Sequence, residues 1–254
     1  MLYNWSSYTT AVRPHEEDIL STWTIIEKSL PSLLVAMLKY TIPLTLISFA
    51  LGLILAVLVA LIRISESHNP LMRGLKGLAW FYVWIFRGTP LLVQLFIVFF
   101  GLPALKVNGH ALIELNAWTA GILTFSLNTG AYASETIRAS IQSIPQPQWE
   151  AAYALGMTRP KVLWRIILPQ AARVSLPPLS NSFISLVKDT SLASGITIIE
   201  MFQVSQQFAA LYYNPLVSYS LVAFLYLMLS TLLTVLQSYL ERRTSRYVRV
   251  GQQF

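Results

Sequence analysis

Five polar residues stand in stretches otherwise suited to lipid: Gln94, Asn128, Glu135, Lys188 and Asp189. A charge at membrane depth costs about 2.5–3.5 kcal/mol on insertion scales and faces a cavity or a partner. A zwitterionic solute presents a carboxylate and an ammonium. Lys188 and Asp189 in one cavity would match it through charge-assisted hydrogen bonds. These five residues are therefore the candidates for a translocation path. A structural alternative stands beside this one. Lys188 pairs with Asp189 or Glu135 to hold helices together, while Asn128, Asn181 and Ser185 make interhelical hydrogen bonds. A third reading makes Lys188, Asp189 and Glu135 the ion-coupling groups of a secondary transporter. Intramembrane hydrolysis fits poorly. His15, His68 and His110 all fall outside the apolar runs and the chain has no Cys, so no buried nucleophile–His pair can be assembled.

The elements that must position these residues are apolar helices. The 254-residue chain is 55% hydrophobic and 11% charged, where a soluble domain carries about 25% charged residues. A mean hydropathy of +0.56 agrees. The net charge of +7 has no polar domain to gather on, which argues against nucleic acid as a partner. Five spans are expected, at 41–62, 80–103, 115–137, 176–202 and 216–240. The second is interrupted at Arg87, Gly88 and Pro90, so its apolar part starts near Thr89. Residues 24–40, with Thr24 and Glu27 spaced as a capping box, read either as a short surface helix or as the outer end of the first span. The segment 203–215 reads as a connection. Residues 1–20 lack the basic start of a cleavable signal. The organisation expected is a polar tail over 1–23, a membrane domain over 24–240 and a basic tail over 241–254. With five spans, thirteen of the eighteen cations lie on one side and four on the other. The positive-inside bias then places the amino end outside and the carboxyl end in the cytoplasm.

The loop 138–174 carries the most specific pattern, "WEAAYALGMTRPKVLWRIILPQ" over 149–170. Pro147 suits the first turn of a short helix, and Gly156 suits the left-handed residue just past its end. Pro160 restarts the chain as a second helix, which Pro169 is expected to terminate. On that helix Val162, Leu163, Ile166 and Ile167 share one face, and Lys161 and Arg165 another. Ala151, Ala152 and Gly156 are small enough to admit another protein closely, and Glu150 adds an anchoring charge. An ordinary loop of two short helices is the competing reading. Pro177 and Pro178 are expected at the start of the fourth span, where a missing N–H is harmless.

Glu150, Ala151, Ala152, Gly156, Ile166, Leu168 and Pro169 match every position of the EAA loop of ABC importer membrane subunits. "FRGTPLLVQLF", "LNTGAYASETIRASIQSIPQPQWEAA" and "PPLSNSFISLVKDTSLA" resemble the polar amino acid permeases, and within them the cystine-type members. The resemblance runs from about residue 30 to 240. It implies an all-α integral membrane protein of the type I importer, MetI-like fold, with five transmembrane helices plus cytoplasmic coupling helices. It implies a second permease subunit, identical or a sister chain, an ABC ATPase dimer beneath, and a periplasmic binding protein that delivers substrate. Glu150, Ala151, Ala152 and Gly156 would couple to the ATPase. ATP and Mg would sit on that partner, and no cofactor on this chain, which has no G-x-x-x-x-G-K-[ST] loop to cradle phosphates. ATP would act by biasing a two-state element from inward-facing to outward-facing. The bacterial inner membrane is the implied location, and cystine the implied substrate, with glutamine, glutamate, histidine and arginine as competitors.

Overall fold

The computed structural model describes residues 22–67, 69–107, 110–111 and 113–244. The expectations for the polar tail before Thr22, for His68 and for the basic end after Thr244 lie outside the described residues. The chain runs as α1 (Thr22–Ile64), α2 (Pro70–Gly88) and α3 (Leu91–Ala104), then a small hairpin, β1 (Lys106–Val107) paired antiparallel with β2 (His110–Ala111). There follow α4 (Ala117–Gln142), α5 (Gln146–Ala154), α6 (Arg159–Ile196), α7 (Met201–Leu211) and α8 (Pro215–Thr244). α1 and Pro215–Glu241 of α8 are each long and apolar enough to cross a membrane. The pairs α2–α3 and α6–α7 reach that length and apolarity together, bent by 110° and 54°. α4 is long enough but too polar to face lipid alone. It is enclosed instead, with Ala120, Thr124, Phe125 and Ser134 at 0% exposure.

α1 decides between the two readings of 24–40. It is one helix of 43 residues, about 65 Å long and roughly twice a hydrocarbon core. Thr24 and Glu27 lie within it, so the capping box does not start a separate surface helix. The reason is packing. Leu33 and Ala36 of α1 are buried with Met201 and Val204 of α7 and Val222 and Leu225 of α8.

Prolines explain two further corrections. Pro169 does not terminate a helix, and Pro177 and Pro178 do not start one; all three lie inside α6. A proline in a helix normally loses one hydrogen bond and drives its ring against the carbonyl four residues back. Before Pro169 the turn is widened, whereas Pro177 and Pro178 lie in regular α-helix. Leu168 N–H donates to Leu163 O, five residues back, just before Pro169. The same device precedes Pro43, where Ile42 N–H reaches Met37 O, and Pro103, where Leu102 N–H reaches Ile97 O. A single wide turn makes room for the ring while the helix continues. The segment 203–215 is likewise corrected: its first part is helical, as α7.

α1 and α4 make the most extensive helix pair. Small residues permit this approach. A Cβ placed on Gly52 would stand 2.9 Å from both Ser126 O and Thr129 Cβ. We predict that Gly52→Ala pushes the helices apart and destabilises the protein by about 1–3 kcal/mol, the usual penalty for overpacking. A lowered unfolding midpoint of the detergent-solubilised protein checks this; an unchanged midpoint refutes it.

Candidate functional site

The α2–α3 bend builds the first part of the site. Breaking the helix over Thr89 and Pro90 leaves carbonyls facing inward. Gln94, only 6% exposed, answers them. Its Nε2 donates to Phe86 O at 2.9 Å, Thr89 O at 3.0 Å and Thr89 Oγ1 at 2.8 Å. Asn128 Nδ2 on α4 donates to Gln94 Oε1 at 3.0 Å and to Phe86 O at 3.3 Å. Gln94 and Asn128 therefore clamp the bend to α4. Arg87, at the same corner, stacks over the Tyr132 ring at 5.3 Å from its centroid. The interruption of the second span expected at Arg87, Gly88 and Pro90 is this bend.

Against that corner lies a cavity of about 460 Å³ between the bend, α4 and α6. Its polar wall comprises Thr89, Asn128, Thr129, Tyr132, Asn181, Ser182, Ser185 and Asp189. Pockets of about 300–1,000 Å³ are typical for small-molecule ligands. Asp189 supplies the one carboxylate of this wall. Asn181 also accepts from Gln237 Nε2 of α8 at 3.1 Å, so the interhelical role expected of it is met.

Lys188 does not share this cavity. Successive helical residues differ by about 100° in direction. Lys188 accordingly opens onto a different groove of about 490 Å³, walled by Phe202, Tyr219, Val222, Tyr226 and Leu227. The cation and anion expected in one cavity are thus parted. Among the described residues no ion pair involves Lys188. Glu135 is also removed from the cavity. It pairs with Arg63 of α1 and with Arg138 of its own helix, the latter at 2.7 Å.

One buried acid was not foreseen. Glu200, at 0% exposure, accepts from Phe202 N–H and Gln203 N–H, each at 2.7 Å, and from the Tyr226 hydroxyl at 2.8 Å. It caps α7 at the 54° bend and ties that bend to α8. The signal was present in "IIEMF": an acid directly before an apolar helical run suits a helix N-terminus.

At the opposite end of α4 sits the coupling segment. α5 closes as expected: Gly156 has φ +74°, its N–H donates to Tyr153 O at 2.9 Å, and Met157 N–H donates to Ala152 O at 3.2 Å. This pair of bonds is a Schellman motif. Glu150, Ala151 and Gly156 are exposed, as are Tyr153 and Leu155. Ala152 is not available to a partner. It is 2% exposed and packs inward with Ile141, Ile144, Val162 and Ile167. α5 rests on that cluster through Ala152, which leaves Glu150 and Ala151 turned away from it. Val162 and Ile167 are buried, and Lys161 and Arg165 are exposed, as their spacing requires.

Residues 70–246 match the family model described as "Binding-protein-dependent transport system inner membrane component". The chain is 49% identical over 227 residues to the L-cystine transport system permease protein TcyB of Bacillus subtilis (strain 168), covering 89% of this chain and 92% of that protein. It is 40% identical over 213 residues to the arginine transport system permease protein ArgU of Corynebacterium glutamicum, covering 80% and 65%. Among solved structures it resembles an amino acid ABC transporter crystallised with histidines, at a TM-score of 0.79 and 29% identity over 88% of this chain and 99% of that one. The methionine ABC transporter MetNI shares the fold, at a TM-score of 0.68 and 20% identity over 84% and 97%. The bent α2–α3 corner, the enclosed α4 and the exposed Glu150 helix are thus features of a multi-pass protein that belongs to the family of binding-protein-dependent transport system inner membrane components.

Proposed function

We propose that the chain is the permease subunit of an ATP-driven importer of polar amino acids, with L-cystine as substrate. The observation that carries this reading is the 49% identity to a cystine permease across nearly the whole of both chains. The cavity suits the substrate class. Asp189 receives an ammonium, Asn128 and Ser185 offer neutral hydrogen bonds, and Arg87 stands beside Tyr132 at the wall for a carboxylate. A second permease subunit completes the path, and a periplasmic binding protein delivers the amino acid. An ABC ATPase dimer holding ATP and Mg docks on the exposed Glu150, Ala151 and Gly156 surface of α5. The loop cations favour an amino end in the periplasm and a carboxyl end in the cytoplasm. No power source is needed in the chain itself.

The test is reconstitution into vesicles with the ATPase and the binding protein, using cystine, glutamine, glutamate, histidine and arginine. Cystine with its binding protein is expected to stimulate both ATP hydrolysis and uptake. Stimulation by arginine alone would move the substrate assignment toward the arginine relative. Uptake that persists without ATP and follows an ion gradient would overturn the importer reading.

A further inference from the structure

Five charged residues at the inner ends of α1, α4 and α6 form two linked groups that this function leaves unexplained. In the first, one carboxylate takes two guanidinium groups. Glu135 Oε1 meets Arg63, and Glu135 Oε2 accepts from Arg138 Nε at 3.1 Å and Nη2 at 2.7 Å. Arg138 also donates to Gln142 at 2.7 Å. The Arg63 and Glu135 side chains are only 18% and 16% exposed. In the second group, which is open to solvent, Arg159, three residues past Gly156, meets Glu66 just beyond the end of α1 and donates to Ile64 O at 3.4 Å; the Arg159 and Glu66 side chains are 37% and 74% exposed. Arg63, Ile64 and Glu66 are consecutive or nearly so. The last turn of α1 is therefore held from α4 by one group and from the coupling segment by the other. An apolar cluster runs parallel to them, in which Ile64 packs with Ile141, Ile144 and Ile167.

We propose that these ion pairs join the coupling segment to the end of α1, so that force received at α5 moves α1 and α4 as one rigid body. Arg63, Glu135 and Arg159 are positioning residues: none of them lines the cavity and none lies on α5. The link stays closed through the transport cycle. The proposal rests on the ATP-driven reading above. Its consequence is that breaking the link separates hydrolysis from transport, whereas a purely structural ion pair would alter stability alone.

The experiment uses the complete reconstituted importer. Arg63→Glu is expected to assemble with the ATPase and hydrolyse ATP, yet to lower uptake per ATP by about tenfold, within the range of ordinary coupling between sites. Combining it with Glu135→Arg restores opposite charges at positions 63 and 135, although it sets a like charge beside Arg138, and is expected to recover part of that loss. Normal uptake per ATP in Arg63→Glu overturns the proposal, as does a loss that follows melting temperature alone. A second arm covers the case in which that variant fails to fold. The chain has no cysteine, so Glu66→Cys with Arg159→Cys can be bridged by a short bis-maleimide without background. Transport by the bridged protein is expected to continue, because the link need not open. Arrest on bridging, reversed when the bridge is omitted, overturns the proposal. A wild-type chain that never recruits an ATPase would instead refute the functional reading itself, and the link with it.

Discussion

Glu150→Lys is expected to weaken ATPase association by roughly 30-fold or more, the effect of reversing a charge that becomes paired and desolvated at an interface. The structure makes this substitution clean. Glu150 is exposed on α5 and, among the described residues, has no ion-pair partner within the chain. The helix under it is held by contacts the substitution does not touch: Ala152 in its apolar cluster, the Gly156 motif, and Gln170 Nε2 donating to Gln148 Oε1 at 2.7 Å. Membrane insertion and helix content should therefore stay unchanged while the ATPase is lost on co-purification at fixed salt. Equal recovery of the ATPase with the variant would remove Glu150 from the docking surface.

Asp189→Asn is expected to raise the substrate concentration needed for half-maximal uptake by roughly 10- to 100-fold, the value of a hydrogen bond to a charged group. Asn keeps the shape of the side chain and removes the charge, so the cavity volume is preserved. ATPase association should not change. Lys188→Ala is the internal control, because Lys188 opens on the other groove. The pair of results is diagnostic. A large effect at Asp189 with none on substrate affinity at Lys188 places recognition in the cavity beside Asn128. The reverse pattern would place it in the groove beside Tyr226 and exclude the cavity.

The contrast between these adjacent residues shows where legibility in sequence stops. That Lys188 and Asp189 sit in an apolar helix was legible. Which way each points was not, because it depends on the rotation of α6 against α4 on one side and α8 on the other. Glu135 tells the same story. Its depth and charge were visible, yet its partner Arg63 lies 72 positions away on α1, and nothing local marks that pairing. Glu200 was legible as a capping acid and was overlooked among the other polar residues of its span. Pro169 misled for a definite reason. Rules for proline assume a regular turn before it, and here a wide turn precedes Pro43, Pro103 and Pro169.

By itself the sequence determined what is local: the apolar segments that partition into a membrane, the short helix ending at Gly156, and the exposed acid at position 150. These follow from hydropathy, backbone conformation and side-chain size over a few residues. Only the tertiary structure decided which polar groups meet. It split Lys188 from Asp189, turned Ala152 inward beside an outward Ala151, set Gln94 to close the carbonyls of a bent span, and drew Arg63 onto Glu135. Helix rotation and crossing are fixed by contacts between segments far apart in the chain, so no window of neighbouring residues contains them.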